Sequence, residues 1–131
     1  MITGFDISSS LYTILNVTQV TSIIDGKVYR ERRPTDLAVK DLQNVVITPL
    51  INMVEEFVTE AVVNVNIYCK DLDNGQPNLT KLNSVASAVV ALLNAYSSVS
   101  SYFSINIVSN QLVPDDNGMS FINLRLEIFT I

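Results

Sequence analysis

The side chains that most often do chemistry are scarce in this chain, and those present fall into a few short groups. There is no histidine, so the commonest general base and metal ligand is missing, along with every Ser–His or Cys–His nucleophile pair. The four glycines stand singly at positions 4, 26, 75 and 118, which leaves no Gly-rich loop to cradle a phosphate. Carboxylates remain: Glu55–Glu56, Asp71 with Asp73, and Asp115–Asp116. Asp71-Leu-Asp73-Asn74-Gly75 opens like a calcium loop, but its glycine comes too early and the closing bidentate Glu is missing, so it reads as a turn. Glu55–Glu56 and Asp115–Asp116 stand in loop-like sequence and read as solvated charges. No spacing singles out a glycosidase-like acid–base pair. Cys69 is the only cysteine; it lies in a strand-like run and is expected to be a small core residue. The expectation is therefore a protein that is not an enzyme, with no catalytic, cofactor-binding or metal-ligating residues and no cofactor.

One constellation stands out. Lys27, Arg30, Arg32 and Arg33 supply four of the eight basic residues within seven positions, interleaved with Tyr29 and Glu31. On a strand, Arg30 and Arg32 project to one face and Tyr29, Glu31 and Arg33 to the other. Two readings stay open. The strip is either a solvated edge strand whose charges discourage sheet-to-sheet pairing, or a subunit contact in which Arg and Tyr meet carboxylates of an acidic neighbouring copy. The second makes Lys27, Tyr29, Arg30, Arg32 and Arg33 the candidate interface residues.

The elements that must carry this strip follow from composition and period. At 131 residues the chain is one domain, 1–131, long enough to bury roughly two-thirds of its unfolded surface. Apolar residues make up 48% and charged residues 16%, with a mean hydropathy of +0.32; such a chain is not disordered, and some apolar surface is expected to be buried between chains. No apolar run approaches the roughly 20 residues of a membrane-spanning helix, so no membrane partner is expected. Met1–Asp6 has no basic region followed by an apolar one, so the chain is expected to fold where it is made, and the triplets Asn16-Val-Thr18 and Asn78-Leu-Thr80 are expected to be coincidental. The net charge of −5 argues against a nonspecific grip on nucleic acid.

From Asp6 the apolar residues Ile7, Leu11, Ile14 and Leu15, extended to Thr18, recur at helical spacing, with Asp6 or Ser8 as cap. Asp25-Gly26 stops this helix. Lys27 to Arg33 then reads as a polar edge strand ended by Pro34, and Thr35 to Asn44 as a loop. The β-branched run Asn44 to Met53 is a strand ending at Pro49 or an edge strand. Glu60 to Lys70 alternates: Ala61, Val63, Val65, Ile67 and Cys69 share one face, with Val62, Asn64, Asn66, Tyr68 and Lys70 on the other. Asp71 to Pro77 is a turn. A helical stripe follows through Leu82, Val85, Ala86, Val89, Leu92, Leu93 and Tyr96, closed by Ser97 to Ser101. Phe103, Ile105 and Ile107 alternate with Ser104, Asn106 and Val108 as a strand; Val113 to Gly118 is a turn. The last strand puts Ile122, Leu124, Leu126 and Ile128 opposite Phe121, Asn123, Arg125, Glu127 and Phe129. The predicted fold is α+β: two helices on one face of a mainly antiparallel sheet of four to five strands.

Taken in order, these elements resemble the tail completion and tail terminator proteins of tailed bacteriophages. The resemblance spans nearly the whole chain. It rests on the first helix leading to Ile23-Ile-Asp-Gly-Lys-Val-Tyr-Arg-Glu-Arg-Arg-Pro34, the alternating strand Ala61 to Cys69, the Ala-rich helix Leu82 to Tyr96 and two closing strands. It implies a tail terminator-like fold and a structural virion protein that forms a homo-oligomeric ring, six- or twelve-fold, at the head–tail junction or tail end. The implied partners are neighbouring portal, adaptor or tail proteins, with DNA passing through unbound; the implied location is the virion neck or tail, after synthesis in the host cytoplasm. An acidic lumen suits that role, since like charge lets DNA slide. The alternative is a small-ligand or peptide-binding α+β module with its pocket on the Asn64, Asn66, Tyr68 face. An enzyme using only carboxylates or tyrosine is disfavoured by the missing histidine.

Overall fold

The structure, a computed structural model, describes residues 4–36, 42–50, 60–99, 103–115 and 118–130. In chain order these form α1 (Gly4–Leu15), α2 (Thr18–Thr21), β1 (Val28–Arg30), β2 (Val45–Pro49), β3 (Glu60–Lys70), α3 (Leu79–Val99), β4 (Phe103–Pro114) and β5 (Met119–Thr130). The class is α+β with a five-stranded mixed sheet in the order β1-β2-β3-β5-β4. β1 and β2 run parallel, and the other three neighbouring pairs run antiparallel.

The spine is β3 against β5, paired without interruption from Glu60↔Phe129 to Lys70↔Met119. Both strands alternate, so one register buries Ala61, Val63, Val65, Ile67 and Cys69 together with Ile122, Leu124, Leu126 and Ile128 on one side, and a one-residue slip would turn one of these two sets to the opposite face. Ala61, Val63, Val65, Ile67, Leu124, Leu126 and Ile128 join Ile7, Leu11 and Leu15 of α1 and Leu82, Val85, Val89 and Leu93 of α3 in a single core. The two long helices thus cover this side. On the other side Val46, Tyr68 and Met119 form a small cluster flanked by Tyr29 and Phe121, to which no described helix contributes.

Several boundaries differ from the sequence reading. α1 begins at Gly4, so neither Asp6 nor Ser8 is its cap; Ser8 lies buried inside the helix. Thr18 does not extend α1: extended backbone at Val17 (φ −131°, ψ 165°) separates the two helices, and α2 adds buried Val20. β1 spans three residues because Glu31 adopts φ +74°, a conformation that ends regular pairing. β2 ends at Pro49 as one reading had it, and lies inside the sheet instead of at its edge; its expected continuation through 51–53 falls outside the described residues, as do 37–41 of the expected loop and the pair Glu55–Glu56. α3 ends at Val99, inside the expected Ser97 to Ser101 closure, with Ser98 Oγ donating to the Ala95 carbonyl (2.9 Å) in its last turn. β4 runs on through Val113 and Pro114, where a turn was expected.

Gly26 is required by a close approach. A Cβ there would collide with the Asn44 side-chain oxygen and lie 2.8 Å from the Gln43 carbonyl. Fully buried Asn44 needs that space: its Oδ1 accepts the Lys27 N–H (3.1 Å) and its carbonyl accepts the Tyr68 N–H (2.9 Å), tying β1's entrance to β2 and β3.

Candidate functional site

The left-handed turn at Glu31 decides what becomes of the basic strip. Strict alternation would separate Arg30 from Glu31; instead both side chains meet Ser8 on α1. Ser8 Oγ donates to Glu31 Oε1 (2.9 Å) and accepts from Arg30 Nε (3.3 Å), while Arg30 and Glu31 approach at 3.8 Å. A hydroxyl at the core's rim is thereby satisfied on both its donor and acceptor sides.

Arg33 goes the other way. It crosses the face of the sheet opposite α1 and α3, with its guanidinium 4.1 Å from the Tyr68 ring centroid and Nη1 donating to Asp115 Oδ2 at 2.6 Å. Tyr68 packs in turn on Phe121, ring centroids 4.9 Å apart at 35°. The loop after β1 is so strapped across β3 to the far end of β4. Burial pushes the Tyr68 hydroxyl above its usual pKa; the positive charge of Arg33 and a hydrogen bond with Asn66 offset part of that rise, and Asp115 adds to it.

Of the five candidate interface residues, the structure therefore gives Arg30 and Arg33 partners within the chain and packs Tyr29 beside the Val46–Tyr68 cluster. Lys27 and Arg32 are exposed at the β1 edge. The face that alternates with the core is cross-linked along β3 and β5: Asn123 Nδ2 donates to Asn66 Oδ1 (2.7 Å), and Arg125 Nε donates to Asn64 Oδ1 (3.3 Å). The Asn64 and Asn66 side-chain oxygens thus each accept a bond from β5. Two shallow depressions lie elsewhere, one beside α3 and β4 and one between α1 and α3 lined by Ser9, Ser10, Thr13, Ile14 and Tyr96.

The other chemical candidates have structural duties. Cys69 is buried, accepts weakly from Gln43 Nε2 (3.8 Å), and burial raises its thiol pKa, which is the environment of an inert thiol. Asp71 Oδ1 accepts from buried Ser120 Oγ (2.6 Å), and Gly75 at φ +81° closes the Leu72–Gln76 turn. Among the described residues no group of three or more His, Cys, Asp or Glu is placed to hold a metal ion. No described helix is long and apolar enough to cross a membrane.

The sequence reading expected a strand at Phe103 to Val108 but neither its full length to Pro114 nor its place at the end of the sheet. This strand forms the sheet edge opposite β1, and it exposes Val108 (42%) and Leu112 (46%). The missed signal was compositional: from Leu82 to Pro114 the chain has no Asp, Glu, Lys or Arg. No protein-family model matches the chain and no curated protein matches it, so what these surfaces do has to be read from their own chemistry.

Proposed function

We propose that the chain is a structural virion protein, a ring-forming subunit at the head–tail junction or tail end of a tailed bacteriophage. The observation that supports this reading is the succession of elements: a leading helix, a short basic edge strand, an alternating central strand, an Ala-rich helix and a closing pair of strands. The net charge of −5 suits a channel through which DNA moves without adhering. Exposed Lys27 and Arg32 are the part of the basic strip left to meet acids of a neighbouring copy, a contact that favours orientation and rate over affinity. The ligand-binding alternative has less support, because Asn64 and Asn66 already serve partners on β5 and Tyr68 lies beneath Arg33.

Light scattering on the purified chain, with negative-stain microscopy, tests the proposal. Expected are rings whose mass is six or twelve times the 14.5 kDa chain, and portal and tail genes beside its own. A chain that stays monomeric, forms no ring with those neighbours and is absent from purified particles refutes it.

A further inference from the structure

The two edges of the sheet are built differently. β1 is three residues long, is ended by the left-handed Glu31 and is flanked by exposed Lys27 and Arg32; shortness and charge are the usual devices that keep an edge from accepting another strand. β4 is twelve residues long and carries no charge, with Pro114 only at its end.

A bulge divides β4. Ile107 pairs with Leu126 and Ser109 with Arg125, leaving Val108 as the inserted residue. Before the bulge Ser97 takes the outward groups of Ile105: the Ile105 N–H donates to Ser97 Oγ (2.9 Å) and Ser97 Oγ donates to the Ile105 carbonyl (3.3 Å). After it, from Ser109 to Pro114, no described residue takes the outward backbone groups. Alongside lies a depression of about 410 Å³ bordered by Asn110 and by Asn83, Ser87 and Ala91 of α3, again without charge.

We infer that a second copy of this chain docks here, adding a strand to the 109–114 edge and covering Val108 and Leu112. Unpaired edge amides and carbonyls supply the affinity of such strand addition, and a segment of this length offers about 20 Å of edge. Charge selects the occupant. Two copies at −5 each repel, and the α3–β4 surface is where they can come into contact without setting like charges against each other or desolvating an ion. A basic partner would gain more from the acidic surface elsewhere. The inference deepens the oligomeric part of the proposal above and rests on that part, but not on its virion part.

Sedimentation velocity across a concentration series tests it, with wild type, Leu112→Lys and the double variant Lys27→Glu/Arg32→Glu. The double variant, which alters a contact that steers approach, changes association by less than about tenfold, whereas Leu112→Lys weakens it by about a hundredfold or more, the effect of an unpaired ammonium in an interface. Association lost in the double variant and kept in Leu112→Lys overturns the inference and leaves a ring reading through the basic strip intact. A wild type that is monomeric at every concentration overturns the inference and the oligomeric proposal together. Should circular dichroism show Leu112→Lys unfolded, hydrogen exchange of the wild type decides: the outward amides between Ser109 and Val113, which β5 does not take, are protected when concentrated and exposed on dilution, and equal exchange in both states overturns the inference.

Discussion

Replacing Arg33 separates the two roles open to the basic strip. Its guanidinium donates to Asp115 at 2.6 Å with both side chains 27% exposed, and it lies over the Tyr68 ring at 4.1 Å. A hydrogen bond between charged groups contributes about 1.5–3 kcal/mol and a partly exposed cation–π contact about 0.5–1 kcal/mol. Solvent screening and the entropy of fixing two side chains remove a good part of that sum. Arg33→Ala is therefore expected to cost about 2 kcal/mol, Asp115→Asn about 1 kcal/mol, and the double variant less than their sum by about 1 kcal/mol. In urea unfolding at neutral pH the midpoints shift accordingly, and each kcal/mol lowers Tm by about 4 °C in a domain of this size. Arg32→Glu, on an exposed residue, leaves the midpoint within about 0.5 kcal/mol of wild type. If Arg33→Ala and Asp115→Asn are additive within about 0.3 kcal/mol, the strap is not a stabilising pair and the assignment of Arg33 to the fold fails.

Asn44→Ala removes a buried side chain whose oxygen accepts the part-buried Lys27 N–H and is expected to cost about 1–3 kcal/mol in the same assay; a neutral result would mean that β1 is not held through this side chain. Leu93→Ala empties a fully buried position on α3 and is expected to cost about 2–5 kcal/mol with helical circular dichroism retained. Tyr68 titrates above its ordinary pKa of 10.0, so the fold favours its neutral form. Its contribution is full below pH 10.0 and is lost as pH rises through the higher folded value. Stability against alkali should improve in Tyr68→Phe, and the difference in ultraviolet titration between wild type and Tyr68→Phe should place the Tyr68 ionisation above pH 10.0; a difference centred at or below pH 10.0 would contradict the burial. The Cys69 thiol should react slowly with an aromatic disulfide in the native protein and fast in urea, and equal rates would show that the thiol is not shielded.

Much of this molecule was legible in the order of its residues. Alternation in β3 and β5 and the stripe of α3 follow from side-chain periods of two and 3.6, which depend only on neighbouring residues, and they predicted the core face residue by residue from Ala61 to Cys69 and from Ile122 to Ile128. Absent histidine and scattered glycines likewise narrowed the chemistry before any fold was known. The basic strip was visible as a cluster, but its division was not: a single left-handed residue, Glu31, re-aims the side chains after it, and no local rule requires φ > 0 at a glutamate.

Partnerships across the sheet were also out of reach, since Arg33 meets Asp115 and Ser8 meets Glu31 only after strands distant in sequence have paired. The two edges show the same limit. Charges at Lys27 and Arg32 and their absence from Leu82 to Pro114 are properties of the sequence, yet they gain meaning only when β1 and β4 become the ends of one sheet. Which strand ends a sheet is decided by long-range pairing, where local preference is weak and the burial of the whole apolar face selects the arrangement.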